Sequence, residues 1–473
     1  MDKFKRNIFG DVYNTIDEKE FFEPDYPACA LLWSHISNEP GGTVRTCCIA
    51  SQRIKDNQGR DFNLGEDSMI DILQSDTMKS LRNEIRDGQR PKNCEACWKD
   101  EDAGKQSKRQ QYNEYYRNWY GRDWQVWMEE PKRIIDAQLI FDNTCNLKCR
   151  SCNTNYSSKW REETLDRNIP FWKTTAKVDM MNPTDSKFWK DIHIWTKDLR
   201  RLEIMGGEPF YMKQFKEFVD YLIDNDRAKN INLTLSTNGT IADKNFLEKM
   251  AKNFKDISFS VSIDGIGERF EYLRHPGDWT SVKQNLQYFH ELHTGDYPVH
   301  IQITHTLSAL NVMYLPEFYD YFAKHFPKFN IWNNIVNHPK WLNMSVLPRS
   351  TKKIITNILK NHEWKHNMSG EEIDSIMNLL NNDLYQKGSS IPDVLKGKFD
   401  QQRLDFFDQR RISMKWEIFK QQIVSGDKYR SENFTKVFPE LYEALTNEFD
   451  YTKEYDNIVE HGYPSISQEE YAN

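Results

Sequence analysis

The chain has 473 residues, room for up to three domains and a substantial core. Its 38% hydrophobic and 29% charged residues, with 14 Trp, 22 Tyr and 27 Phe, exclude a wholly disordered chain. The formal net charge of -7 argues against a general nucleic-acid surface, although a local basic channel would survive that objection.

No stretch approaches the roughly 18 apolar residues that a membrane helix needs, and the start MDKFKRNIFGDVYN lacks the apolar core of a secretory signal. The expectation is a cytoplasmic chain with no membrane partner. That setting suits its eight cysteines, because thiols stay reduced there.

Residues 1 to about 25 are acidic and aromatic without a clear period, and read as an ordered arm or a loose tail. From Cys29 an apolar segment leads to a turn at Asn38-Glu39-Pro40-Gly41-Gly42 and a short segment carrying Cys47 and Cys48. Two strands joined by that turn would hold Cys29 near Cys47. Helical spacing begins at Asp67 to Leu73, continues through Met78, Leu81 and Ile85, and closes near Gly88 and Pro91. Cys94-Glu95-Ala96-Cys97 follows as a C-x2-C turn able to complete a tetrathiolate site with the hairpin cysteines. Thiol chemistry alone allows either structural zinc or an iron–sulfur cluster there. These residues, 1–100, form a first module. Residues 101–132 are a connector with basic residues from Lys105 to Arg109 and aromatics at Tyr112, Tyr115, Tyr116, Trp119 and Tyr120, read as a solvated face with packing anchors.

Residues 133–336 alternate strand and helix. Strand-like runs are Ile134 to Phe141, Arg201 to Met205, Ile231 to Thr237, Ile257 to Ile263, His300 to Leu307 and Asn330 to Val336. Helical runs are Met212 to Asn225, Ala242 to Asn253, Val282 to His293 and Leu315 to His325. This order predicts an α/β fold with right-handed parallel crossovers, an open partial (β/α)6 barrel. An insertion, 154–200, carries Trp160, Phe171, Trp172, Phe188, Trp189 and Trp195 and is expected to cover the cavity. Residues 337–473 read as a helical region, with Ser369 capping a helix from Ile373 to Tyr385, Glu372 completing its capping box, and a second helix from Phe406 to Ser425. The polar C-terminus is expected to fray.

The first strand runs into Cys145-Asn146-Leu147-Lys148-Cys149-Arg150-Ser151-Cys152. One loop can turn all three sulfurs onto a single metal centre, because thiolates are soft ligands suited to iron–sulfur clusters or zinc. A fourth ligand is missing locally, so a four-iron cluster held this way would keep one iron open. Beyond it, Gly206-Gly207-Glu208-Pro209, Ser236-Thr237-Asn238-Gly239 and Ser262-Ile263-Asp264-Gly265 follow the second, third and fourth strands. Glycines permit close backbone approach, Glu208 can accept from an ammonium group, and Ser and Asn side chains can meet ribose hydroxyls; each stretch read alone is equally a turn. Arg274 has a fork suited to a carboxylate, with a surface ion pair as the competing reading. His305 and Asn311 lie at the end of the fifth strand with no assigned role.

The C-x3-C-x2-C spacing with the GGEP, serine–asparagine and SxDG stretches resembles the radical S-adenosylmethionine (SAM) superfamily. The resemblance implies that Cys145, Cys149 and Cys152 bind a 4Fe-4S cluster whose open iron is chelated by SAM. It further implies that Gly206, Gly207 and Glu208 meet the methionyl amine, that Ser236, Asn238 and Ser262 contact ribose, and that Arg274 meets the SAM carboxylate. Asp264 is read as fixing its turn. Residues 29–97 resemble the auxiliary-cluster module of that superfamily, the twitch or SPASM-like domain, with Cys29, Cys47, Cys94 and Cys97 at the ligand positions of a second 4Fe-4S cluster and Cys48 spare. The family usually places this module after the catalytic domain; here it comes first. The implied activity is that of an oxidoreductase that generates a 5'-deoxyadenosyl radical for hydrogen abstraction. Its overall reaction would be oxidative modification of a peptide or protein, or else oxidation or rearrangement of a small polar metabolite. An electron donor such as flavodoxin or ferredoxin is implied. A noncatalytic Fe–S electron-transfer protein is the reading from another class.

Overall fold

A computed structural model of the chain describes residues 4–6, 12–14, 29–120, 133–167, 186–381 and 401–461. Ten strands are described: β1 Phe4–Arg6, β2 Val12–Asn14, β3 His35–Asn38, β4 Val44–Arg45, β5 Asp136–Leu139, β6 Arg201–Ile204, β7 Asn232–Thr237, β8 Asp256–Ser262, β9 Val299–Leu307 and β10 Asn330–Ile335. The first two form a small antiparallel pair, and the other eight form one open, mixed sheet in the order β10-β9-β8-β7-β6-β5-β3-β4. All six expected barrel strands are present. The chain divides into two compact units, Met1–Asn143 with Val178–Ser236 and Lys244–Ser258, and Thr144–Lys177 with Thr237–Asp243 and Phe259–Asn473.

In the first unit, β3, β5, β6 and β7 run parallel and β4 pairs antiparallel with β3. The N-terminal hairpin therefore extends the barrel sheet. Side chains make the seam: Ser37 Oγ donates to Gln138 Oε1 at 3.0 Å, and the Asn38 amide bonds both the N–H and the C=O of Ile140. Register then sorts the faces. Ile36, Ala137, Leu202 and Leu233 form one apolar row and Leu139, Ile204 and Leu235 another, while His35, Asp136, Arg201 and Asn232, then Ser37, Gln138, Glu203 and Thr234, line the opposite face. Each buried Leu or Ile side chain of the apolar rows contributes about 1.5–3 kcal/mol.

The hairpin turn needs Gly42 at φ +88°, where a Cβ would stand 2.6 Å from Asn63 Oδ1. The expected single helix after it is two, Met69–Leu73 and Asp76–Arg86, because Ser75 stops the first and caps the second by accepting from Met78 N. The C-x2-C segment is no simple turn: a short 3₁₀ stretch, Lys92–Cys94, opens directly into the helix Glu95–Asp102, which carries Cys97. Part of the 154–200 insertion packs inward rather than over a cavity. Phe188 and Trp195 join Phe141 and Phe218 in a buried aromatic cluster, with ring centroids 4.9 to 6.1 Å apart along its Phe188–Trp195, Phe141–Phe218, Trp195–Phe218 and Phe188–Phe218 contacts. Phe171 and Trp172 lie outside the described residues.

In the second unit, β9 and β10 are parallel and Ile263 N donates to Thr304 O at 3.1 Å. The open edge of β10 is capped by Asn367, whose amide accepts from Ile331 N and donates to Ile331 O, as a neighbouring strand would. Helices Trp279–Thr294 and Leu315–His325 match the expected ones. The C-terminal region is helical, with Arg349–Asn361, Gly370–Asn381, the long Gln401–Arg430, and three shorter helices to His461. Ser369 caps as expected, accepting from Glu372 N at 3.1 Å, while the Glu372 carboxylate accepts from Asn333. The expected fraying segment, and the end of the expected 373–385 helix, lie outside the described residues. No described helix is long and apolar enough to cross a membrane.

Candidate metal and cofactor site

In the first unit Cys29, Cys47, Cys94 and Cys97 line one cavity, about 400 Å³ of atom-free space including its open mouth, together with Leu31, Ala50 and Lys108. Burial, followed by the neighbouring thiols, pushes Cys29 and Cys94 up, the latter to about 12. Burial also raises Cys47, to about 11, against a lowering backbone hydrogen bond. Four such thiols become ligands only against a strong positive charge. Four thiols lining one cavity are a donor set that fits an iron–sulfur cluster or a tetrahedral zinc. Cys48 is exposed and accepts from Lys108 Nζ at 2.8 Å, which puts it beside the cavity as a neighbour.

The second unit holds the other three thiols. Cys145, Leu147 and Cys149 are buried together with Cys152 packed against them. Burial, then the charges of Cys149 and Cys145, raises the Cys152 thiol, and burial raises Cys149 against the lowering field of Arg274. The loop is shaped by its own backbone and by Ser157, whose hydroxyl donates to Leu147 O at 2.6 Å, while Trp160 Nε1 donates to Cys149 O at 2.6 Å. Asn238 donates to Asn146 Oδ1 at 2.9 Å and lies 3.9 Å from Cys145 Sγ. Arg274 Nη1 donates toward Cys149 Sγ at 3.7 Å, and its Nη2 pairs with Asp264 at 2.8 Å. Asp264 also accepts from Thr306 N, fixing the turn as expected. Arg274, expected to meet an external carboxylate, thus has an internal one.

The other expected cofactor residues sit at strand ends. In the first unit Gly206 and Gly207 have φ +81° and +53°, and a Cβ on Gly206 would stand 2.5 Å from Ile140 Cγ2, so the chain passes there only without a side chain. Glu208 is fully buried and its carboxylate accepts from Phe210 N at 3.2 Å. Ser236 is half-buried on the polar face of β7, continuing the row of Asn232 and Thr234. In the second unit Ser262 closes β8, also half-buried. His305 is buried, with Nδ1 3.0 Å from Ile263 O.

Sequence reasoning missed the ionic frame around the cysteine loop. Arg150 Nη2 pairs with Asp427 at 2.7 Å and Glu432 at 2.5 Å, and Glu163 binds Lys148, Arg167 and Arg430. Burial would raise the Glu163 carboxyl, but Arg430, Arg167 and Lys148 outweigh it and hold it at about 2. For Arg150 the sequence signal was only its place inside the cysteine motif; its partners lie 277 and 282 residues away.

The described residues thus present two cysteine sets, four thiols lining one cavity in the first unit and three on one loop in the second. Residues 139–307 match the model of the radical SAM superfamily, and residues 29–98 match the iron–sulfur cluster-binding domain SPASM. The chain carries a radical SAM domain following an N-terminal SPASM-type domain. Domains of the first kind bind SAM and a 4Fe-4S cluster, and the second kind carries auxiliary clusters.

Among curated proteins, the chain is 27% identical over 165 residues to the radical SAM cyclopropyl synthase TigE of Paramaledivibacter caminithermalis, covering 34% of this chain and 33% of that one. It is 23% identical over 176 residues to the GTP 3',8-cyclase of Syntrophomonas wolfei, covering 37% and 48%. The chain thus spans less than half the length of these relatives. Among solved structures, Streptococcus suis SuiB bound to its precursor peptide SuiA is similar at 16% identity and a TM-score of 0.34, over 66% of each chain.

Proposed function

We propose that this protein uses SAM and a cluster on Cys145, Cys149 and Cys152 to abstract a hydrogen atom, in the oxidative modification of a peptide or protein side chain. The observation that carries the reading is the buried three-sulfur loop with Asn238 and Arg274 directed at two of its sulfurs. Bound there, the reduced cluster and SAM would supply a 5'-deoxyadenosyl radical. The chain's own residues do the rest. Gly206 and Gly207 offer a close backbone approach, Glu208 a carboxylate for an ammonium group, and Ser236, Asn238 and Ser262 hydroxyl and amide groups for a ribose. Arg274, tied to Asp264, holds positive charge beside Cys149. Orientation of the reacting carbon and exclusion of water are the protein's contributions to rate. Cys29, Cys47, Cys94 and Cys97 would hold the auxiliary cluster, which would supply one-electron redox chemistry there, and flavodoxin or ferredoxin would serve as the external electron donor.

A small polar metabolite is the second reading of the substrate.

Anaerobic reconstitution followed by measurement of 5'-deoxyadenosine tests the class: no SAM cleavage under strong one-electron reduction, with the first cluster intact, would leave an Fe–S carrier. Deuterium transfer from a labelled peptide or a labelled metabolite into 5'-deoxyadenosine then separates the substrate readings.

A further inference from the structure

Arg150, inside the three-cysteine loop, finds its counter-charges at the far end of the chain. Arg150 stands between Cys149 and Cys152, buried at 4% exposure, with its guanidinium 3.7 Å from the centre of the Tyr272 ring and its Nε donating to Tyr272 O. Asp427, at the end of helix Gln401–Arg430, receives Arg150, Tyr272 OH at 2.6 Å, Phe434 N at 2.6 Å and Tyr451 OH at 2.9 Å. Glu432 takes Arg150 on one oxygen and His275 Nδ1, at 2.7 Å, on the other. The same stretch that carries His275 accepts the loop's backbone: Lys148 N donates to His275 O and Arg150 N to Leu273 O. Gly426 is part of the fit, since a Cβ there would stand 2.8 Å from Arg150 Nη1. The loop is thus gripped through its backbone by residues 273–275 and through Arg150 by residues 427–432.

Lys148, Arg150, Arg167, Arg274 and Arg430 gather here with Glu163, Asp264, Asp427 and Glu432. Arg430 Nη1 and Arg274 Nε are buried without a hydrogen-bond partner in the structure. A buried guanidinium with an unsatisfied N–H favours a nearby anion, and three thiolates on an iron–sulfur cluster would be such a group.

We infer that the end of the C-terminal helix is a working part of the cluster site: Asp427 and Glu432 position Arg150, and with it Cys149 and Cys152, while Arg430 supplies positive charge that offsets the bound cluster. These are positioning residues. The inference rests on the reading of Cys145, Cys149 and Cys152 as cluster ligands, and its two arms are chosen to separate the two claims.

The first arm uses iron-free, full-length protein. Asp427→Asn with Glu432→Gln is expected to speed hydrogen exchange at the Lys148 and Arg150 amides by about tenfold or more, with amides of β6 and β7 unchanged. Arg150→Lys, which keeps the charge and loses the fork, gives the same local change should the double variant fail to fold. Unchanged exchange in Arg150→Lys or in a folded double variant overturns the grip, whether or not iron ever binds. The second arm uses reconstituted protein lacking the four auxiliary cysteines. Arg430→Met is expected to lower the midpoint potential of the remaining cluster in an EPR-monitored titration, with loop exchange unchanged. An unshifted potential overturns the charge role, and a wild-type loop that takes up no iron overturns the underlying reading and the charge role with it.

Discussion

Arg274 and Asp264 form a buried ion pair, 2.8 Å apart, and the same guanidinium reaches toward Cys149 Sγ at 3.7 Å. One arginine therefore joins the turn after β8 to the cysteine loop. Replacing it with Gln leaves Asp264 buried without its cation, and the expected loss of stability is about 3–5 kcal/mol. Urea unfolding of the iron-free protein measures it. A loss under about 1 kcal/mol would mean that the pair behaves like an exposed one.

Gly206 and Ile140 make the tightest approach beside the GGEP turn. Gly206→Ala must distort a backbone held at φ +81° and displace Ile140, so about 1–3 kcal/mol of stability should be lost, with SAM affinity reduced by about tenfold or more. Adding Ile140→Ala removes the collision and leaves the backbone strain. The double variant should accordingly lose less than the two single losses together, which a double-mutant cycle on thermal unfolding checks.

Alanine at Cys145, Cys149 and Cys152 together should abolish 5'-deoxyadenosine formation while the chain keeps iron and acid-labile sulfide at Cys29, Cys47, Cys94 and Cys97. Zinc without sulfide in that variant would assign the first module a structural ion instead. Alanine at the four auxiliary cysteines should leave the three-cysteine cluster's iron in place.

His305 is buried against Phe318, and burial lowers its imidazole to about 4, an effect the nearby Asp264 only partly opposes. The unfolded chain takes up that proton first, near pH 6.5. Stability should therefore fall as pH drops from about 6.5 toward about 4, by on the order of 3 kcal/mol in all. His305→Phe should flatten that part of the curve. Equal slopes for the two proteins in urea unfolding across this range would rule the histidine out as the cause.

The alternation of apolar and polar residues determined the six barrel strands and their helices, because each face of a strand or helix must meet a different medium. The cysteine spacings and the glycine-rich strand ends likewise marked both metal-binding candidates, since ligands that share one loop announce themselves locally. Tertiary structure alone decided that β3 would join β5, because His35, Ser37 and Asn38 find their partners about a hundred residues away in Asp136, Gln138 and Ile140. It alone decided that Arg150 would be answered from the C-terminal helix and Arg274 by Asp264. Ion pairs between residues this far apart in the chain carry no periodicity and leave no trace in spacing; they exist only where the folded chain brings the opposite charges together.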